Sequence, residues 1–411
     1  MKIGFSELYG ENQENQRARY EELARGFEEY FGKGELVYCS APGRSEIGGN
    51  HTDHNHGRVV AAAVDLDVAA AACCNGENAV RLKSKEYPEM DVIDLSDLSV
   101  HPEETGRSAS LLRGICARVR ELGYRVGGFN AYTSTRVLKG SGLSSSAAFE
   151  VLAVTIISHL FNDGKIDPVE VAKIAQYAEN VYFGKPSGLL DQTASSVGGF
   201  TAIDFANPEK PAIEKIDFDI SAQGYALCVV DTGGNHADLT GDYAGIPQEM
   251  KAAASFFGKK VLREVDPAEF EQNIAAVRKA CGDRAVLRAM HFFAENARAA
   301  MQRDALRSGD FQAFLKLVVE SGRSSFQYLQ NVYAPHNPAE QGLSVALALS
   351  EKLLDGCGAW RVHGGGFAGT IQAYVPFDLL ETYRSRMEAV FGEGSCYVLS
   401  VRAAGGTRVE L

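Results

Sequence analysis

The sequence predicts an α+β protein of two domains, and three observations carry that expectation. Its 411 residues exceed the roughly 100–200 that a single domain commonly uses. Strand-like segments gather between residues 35 and 135 and return after residue 359, whereas residues 248–356 read as almost continuous helix. Strand clusters and helix clusters are segregated rather than alternating, which argues against a regular α/β sheet.

Taken in order, Tyr20, Leu23, Phe27 and Phe31 recur at helical spacing and predict an amphipathic helix over 14–31. ELVYCSAP predicts a strand that runs into GGNHTDHNHG at 48–57. RVVAAAVDLDVAAAACC and AVRLKSKEYPEMDVIDL predict strands rich in small or alternating residues, SASLLRGICARVRELG a helix, and GFNAYTST a strand. KGSGLSSS is a loop before the apolar helix AAFEVLAVTIISHLF. DPVEVAKIAQYAENVYFG predicts a further helix with Asp167 as its N-cap and Pro168 at its first position. FANPEKPAIEKID, at 205–217, holds two prolines between strand-like segments and predicts a domain boundary, dividing 1–210 from 211–411. Beyond it YALCVVDTGG is a buried strand. The chain closes with WRVHGGGFAGTIQAYVP and SCYVLSVRAAGG as strands around a helix over FDLLETYRSRMEAVF.

Composition narrows the function. No apolar run approaches the roughly 18 residues of a membrane span, and MKIGFSELYGENQENQ lacks the apolar core of a secretory signal, so a cytoplasmic protein is expected. Eight scattered cysteines without a CxxC pair fit reduced thiols rather than a disulfide framework. A formal charge of −12 argues against nucleic acid as a partner, because phosphate backbones demand a basic surface. An anionic ligand must be held locally, by amides, a helix N-terminus, a few cations or a metal.

Three loops could meet that demand. KGSGLSSSAAFE sets two glycines and a run of three serines, Ser144–Ser146, immediately before a long helix, where unpaired amides attract phosphate; a serine-rich cap alone would look the same. No GxxxxGK[ST] occurs, and GSGLSS lacks the third glycine of the dinucleotide fingerprint. HGGGFAG, at 363–369, matches GxGxxG but precedes a strand, so it is either a glycine hairpin or backbone brought close to a ligand. GKPSGLLDQTASSVGG places Asp191 in a glycine-rich loop, with Glu179 on the helix before it and Arg44 far upstream in APGRSEIGG. GGNHTDHNHG admits a metal-site reading, since imidazole and carboxylate are common ligands.

Taken together, APGRSEIGGNHTDHNHG, KGSGLSSSAA and HGGGFAGT resemble the three motifs of the GHMP small-molecule kinases, and the first resembles the signature of galactokinases. SGLLDQ and DTGGNHADLTGDY extend the likeness over nearly the whole chain. The resemblance implies a two-domain GHMP kinase fold: an N-terminal mixed sheet with helices, a helix-rich C-terminal domain, and the active site in the cleft between them. It implies an ATP-dependent sugar-1-kinase of galactose metabolism, with Mg²⁺ as cofactor. Lys139, Gly140, Ser141, Gly142, Leu143, Ser144, Ser145, Ser146 and Ala147 would wrap the triphosphate. Ser146 and Glu179 would hold the Mg²⁺, and Gly364, Gly365 and Gly366 would approach the nucleotide and the sugar edge. Asp191 matches the aspartate facing the anomeric hydroxyl and Arg44 the arginine beside it, which would keep Asp191 ionised and offset charge on the γ-phosphate. Asn50, His51, Asp53, Gly188 and Tyr243 fall at sugar-binding positions.

On that resemblance the histidine loop reads as a sugar pocket rather than a metal site. A neutral imidazole and an acceptor-only carboxylate direct hydroxyls, while His54 and His56 become wall or surface residues. Four positions depart from the family pattern: Asn50 replaces a glutamate, His54 a tyrosine, Leu138 a proline, and Ile246-Pro247 a basic pair. Asn50 brings arabinose, galacturonate or an N-acetylated galactose forward as rivals to galactose, because an amide both donates and accepts. Some relatives sense sugar and ATP without catalysis. The intact Ser146-Ala147, Asp191 and Arg44 place this chain with the enzymes instead.

Overall fold

The computed structural model describes residues 2–137, 142–234 and 239–411. Strands are β1 Lys2–Gly4, β2 Val37–Gly48, β3 Arg58–Cys74, β4 Ala79–Ser84, β5 Met90–Asp94, β6 Phe129–Thr135, β7 Phe200–Asp204, β8 Ala212–Ile216, β9 Tyr225–Asp231, β10 Ala359–Val362, β11 Thr370–Pro376, β12 Cys396–Leu399 and β13 Thr407–Glu410. Among the described residues they form a nine-stranded mixed sheet ordered β1-β13-β2-β3-β6-β4-β5, with β7 and β8 branching from β3, and a four-stranded sheet ordered β10-β11-β9-β12.

The long strand β3 is the hinge of the larger sheet. Its first half pairs with β7 and its second half with β6, while β2 runs antiparallel to it throughout. Its alanines at 61–63 and 69–72 are fully buried, because a strand covered on both faces needs small side chains where helices come close. The helix Ser145–Phe161 is one such cover: its Val151, Leu152, Val154 and Ile156 are buried in the same core as Val60, Val64 and Ala70.

The opening helix is Gln13–Phe31, as its spacing predicts, and Asp167 caps the helix Pro168–Tyr177 by accepting from the Val169 amide at 2.9 Å. Residues 240–354 supply six helices, including Asp283–Ser308 and Phe311–Ser324. Two expectations differ. The proline-containing stretch at 205–217 is a turn and strand of the β7–β8 hairpin, so the larger sheet continues through Ile216. The last strand, β13, also returns to that sheet, between β1 and β2. Both prolines lie in the turn before β8 and break no ladder bond, which is why they resemble a linker. Asp191, expected in a loop, stands instead in the first turn of the short helix Leu190–Val197.

Candidate active site

Arg44 lies near the end of β2, and the glycine before it decides what it meets. A Cβ on Gly43 would come 2.9 Å from the Leu143 carbonyl, and the Arg44 amide donates to that same carbonyl at 3.0 Å. The phosphate loop is thereby pinned against β2. The Arg44 guanidinium then reaches two ways: Nε donates to Asp191 Oδ1 at 2.6 Å, and Nη1 donates to the Gly142 carbonyl. Ser144 Oγ donates to the other Asp191 oxygen. Burial pushes the Asp191 carboxyl up, but the Arg44 charge and the bonds from Arg44 and Ser144 outweigh it and hold the group below its ordinary value.

Ser144 adopts a left-handed backbone (φ 55°) at the entrance to the helix Ser145–Phe161, so the amides of its first turn open toward the loop. Ser145 and Ser146 line a cavity of about 540 Å³ together with Tyr87, Asp91, Phe149 and Phe183, a size typical of small-molecule sites. Leu143 and Ala147 are buried and anchor the turn. Lys139, Gly140 and Ser141, along with Leu138, lie outside the described residues. Glu179 sits 2% exposed on a π-helical turn, Ala178–Phe183; its Oε1 accepts from Ser146 Oγ at 3.4 Å and from Lys185 Nζ at 2.8 Å. Gln192, which the sequence reading passed over, donates to both Glu179 at 2.8 Å and Glu150 at 3.0 Å. Burial and the neighbouring Glu179 raise the Glu150 carboxyl well above its usual range.

The third motif closes over the first. β10 and β11 form an antiparallel hairpin whose turn carries Gly364, Gly365 and Gly366. At its base His363 bridges Ser45 Oγ (3.1 Å) and Thr370 Oγ1 (2.9 Å), and a Cβ on Gly142 would stand 3.0 Å from His363 Nδ1 and Thr370 Oγ1 alike. Burial, then the Arg44 and Arg361 charges, lower the His363 pKa to about 3, so the ring is neutral. His51, in a left-handed turn (φ 57°), places Nε2 at 2.9 Å from the Gly365 carbonyl. Only an N–H can bond a carbonyl, so Nδ1 remains as an acceptor. Burial lowers this imidazole to about 4. Tyr243 packs over Gly365 and donates from its hydroxyl to the Gly366 carbonyl at 2.9 Å. Asp53 is half-buried beside Gly188, where a Cβ would come 3.0 Å from Asp53 Oδ2.

Asn50 departs from its expected place against the sugar. It is fully buried, and protein groups fill all four of its hydrogen-bonding positions. Nδ2 donates to Glu46 Oε1 and to the Gly364 carbonyl, both at 2.8 Å, while Oδ1 accepts from Asn331 at 2.9 Å and Ser325 at 3.3 Å. Reading the residue type alone suggested an amide free to meet a ligand; Glu46, four residues earlier near the end of β2, is the partner that claims its Nδ2. His54 is exposed and His56 half-buried. Among the described residues no three His, Cys, Asp or Glu side chains converge as a metal site.

Thus the two catalytic candidates, the described part of the phosphate loop, and the glycine hairpin meet at one place, although more than 200 residues separate them. Family models match over the segments that carry Arg44, the phosphate loop and Asp191: the GHMP kinases N terminal domain over residues 110–199 and the galactokinase galactose-binding signature over residues 25–73. The fold is similar to that of Lactococcus lactis galactokinase complexed with galactose (TM-score 0.79, 24% identity, covering 95% of this chain and 100% of that one). It is also similar to Methanococcus jannaschii mevalonate kinase (TM-score 0.64, 15% identity, 90% and 99% covered). Fold and site define a GHMP-type small-molecule kinase. The chain is 30% identical over 363 residues to the galactokinase of Actinobacillus pleuropneumoniae, covering 87% of this chain and 90% of that one. It is 30% identical over 367 residues to that of Streptomyces coelicolor, covering 89% and 91%. It belongs to the galactokinase family, and is a sugar phosphotransferase with ATP as phosphate donor. Among the described residues no helix is long and apolar enough to cross a membrane.

Proposed function

We propose that this chain transfers the γ-phosphoryl group of ATP to the anomeric hydroxyl of D-galactose, giving ADP and galactose 1-phosphate in the cytoplasm. The observation that carries the reading is the Arg44–Asp191 pair at 2.6 Å beside the Ser144 turn. In the transfer the bond from the γ-phosphorus to the β,γ-bridging oxygen breaks as the bond to the sugar oxygen forms, and Asp191 receives the hydroxyl proton. A loose transition state leaves the protein mainly to position and to balance charge. Arg44, held by Asp191 and the Gly142 carbonyl, points its guanidinium at the turn where the phosphates would lie. The amides of the Ser145–Ala147 turn would take the phosphate oxygens, and the cavity lined by Tyr87, Phe149 and Phe183 would take the base.

Ser146 and Glu179 offer only oxygen donors, which fits a hard cation that keeps one or two protein ligands and fills the rest from phosphates and water. Bound there, Mg²⁺ would neutralise phosphate charge. Glu179→Gln is therefore expected to raise the Mg²⁺ concentration needed for half-maximal rate; an unchanged requirement would remove Glu179 from the metal site. His51 Nδ1, Asp53 and Tyr243 are the sugar-side groups, and the two lobes divide after β8 rather than at residue 210, with β13 contributed back to the first.

Asn50 brings related sugars forward, and its side chain is taken up by protein groups, so the choice of sugar rests on measured rates. Initial rates with ATP and Mg²⁺ on galactose, arabinose, galacturonate and N-acetylgalactosamine test the assignment. Galactose turning over well below any of the others would end it.

A further inference from the structure

The face of β2 that carries Arg44 carries a second charged group. Residues two apart on a strand point the same way, and pairing with β3 is regular here, Arg44 opposite Ala63 and Glu46 opposite Ala61. Both side chains keep some exposure while Ser45 between them is buried. On β2 Glu46 stands two residues after Arg44 and two before the loop at 48–57, so it lies between Arg44 and that loop.

Its two oxygens are treated differently. Oε1 is fixed by Asn50 Nδ2 at 2.8 Å and Arg361 Nη2 at 2.9 Å. Arg361 is itself fully buried and bonded from Nη1 to the Ile47 carbonyl at 2.7 Å. Oε2 receives no hydrogen bond from the described residues. It is not among the sealed, unpartnered atoms of the interior, and the side chain keeps 13% exposure. One oxygen is clamped by Asn50 and Arg361, and the other is an acceptor that is neither sealed nor bonded by the described residues.

We propose that Glu46 is a specificity-determining residue of the sugar site, accepting a hydrogen bond from a sugar hydroxyl through Oε2 while Arg361 and Asn50 anchor Oε1. The inference rests on the galactose reading. It also accounts for Asn50: the amide at position 50 orients a carboxylate four residues earlier instead of meeting the sugar itself. A fixed anion at this point disfavours an anionic sugar, so galacturonate is expected to be the poorest of the rival substrates.

The test is a cycle between enzyme and substrate, run with ATP and Mg²⁺ on wild type and Glu46→Gln, using galactose and its monodeoxy derivatives. A hydrogen bond to a charged acceptor predicts that wild type loses about 10–100-fold in kcat/KM on one of the deoxy sugars. Glu46→Gln is expected to lose a similar factor on galactose, mostly as a higher KM, and to lose nothing further on that deoxy sugar. A merely structural role would lower activity by the same factor on every sugar, and that additive result would overturn the assignment. If Glu46→Gln does not fold, Glu46→Asp enters the same cycle; the proposal is overturned if wild type also shows no deoxy sugar reduced by more than about threefold. Absence of turnover on every sugar would instead bring down the galactose reading beneath it.

Discussion

Replacing Asp191 by Asn isolates the charge of the proposed base from its shape. The amide oxygen can keep the 2.6 Å bond from Arg44 Nε, and its NH2 can face Ser144, whose hydroxyl is free to rotate and accept. Folding should survive. The cost is the loss of one charge-assisted bond in a pair whose side chains are 11% and 33% exposed, about 1–3 kcal/mol of stability. The chemical cost is larger. A positioned base contributes about 10²–10⁴ in rate, or about 3–5 kcal/mol of barrier. Initial rates at saturating sugar and ATP with Mg²⁺ should therefore show kcat down by at least about a hundredfold, while calorimetric ATP affinity stays within about threefold. The sign of the pH effect follows from the depressed Asp191 pKa. Its carboxylate is already ionised above its ordinary 3.8, so wild-type kcat should show no acid limb from this group between about pH 5 and 8. Asp191→Asn retaining more than about a tenth of wild-type kcat would refute the role of the carboxylate.

Three further outcomes are expected. His363 and His51 fall from an ordinary 6.5 to about 3 and about 4 on folding, so the unfolded chain takes up protons first and these groups withdraw stability as pH drops below about 6.5. Partly buried Glu46 and buried Glu150, with raised values, act in the opposite sense; the check is thus urea midpoints of wild type against His363→Asn at several pH values, where an unchanged pH slope contradicts the assignment. Gly365→Ala would set a Cβ 2.6 Å from Tyr243 Cε1; overpacking of about 1–3 kcal/mol should appear as a KM for sugar raised about 5–100-fold, and an unaltered KM would show that the ring yields freely. Asn50→Glu would face a second carboxylate toward Glu46 and remove the donor to Gly364, a loss of about 3–5 kcal/mol. Adding Glu46→Asn should restore much of the melting temperature, and a double variant melting no higher than Asn50→Glu would refute the repulsion.

Much of this site is legible in the sequence because its chemistry is carried by short contiguous runs. KGSGLSSSAA announces a helix N-terminus by its serines and glycines, and helix Ser145–Phe161 begins within it. The hairpin at 363–369 follows from glycines between two strand-like runs. What escapes is whatever depends on pairing across the chain. Gln192 becomes meaningful only when helix Leu190–Val197 sets it between Glu179 and Glu150. Arg361 and His363 look like ordinary strand residues until the hairpin lays them against Glu46 and Ser45. Glu46 could have been found by strand alternation from Arg44. The prolines at 208 and 211 mislead for a physical reason, since a hairpin turn and a linker ask for the same backbone angles.

The distribution of charge in the cleft follows from which carboxylates are already satisfied. On the side proposed for the triphosphate Asp191 has both oxygens bonded, to Arg44 and Ser144, and Glu179 has both bonded, to Ser146, Lys185 and Gln192. Groups so held present fixed directions and little spare negative potential to an incoming triphosphate, which a chain of net charge −12 must otherwise repel. Toward the sugar loop the balance is reversed. Glu46 keeps one oxygen without a described partner, and Asp53 lies 3.8 Å from the nearest cation-forming group, the exposed His54. Acceptors left open there suit a ligand made of hydroxyls, each of which brings its own donor. His363 keeps the two regions apart: neutral and bonded at both nitrogens, it stands between Arg44 and Arg361 without adding a third cation. Protonating it would turn Nε2 into a donor against the Glu46 amide, which donates to it at 3.4 Å, whereas the Ser45 and Thr370 hydroxyls could rotate to accept.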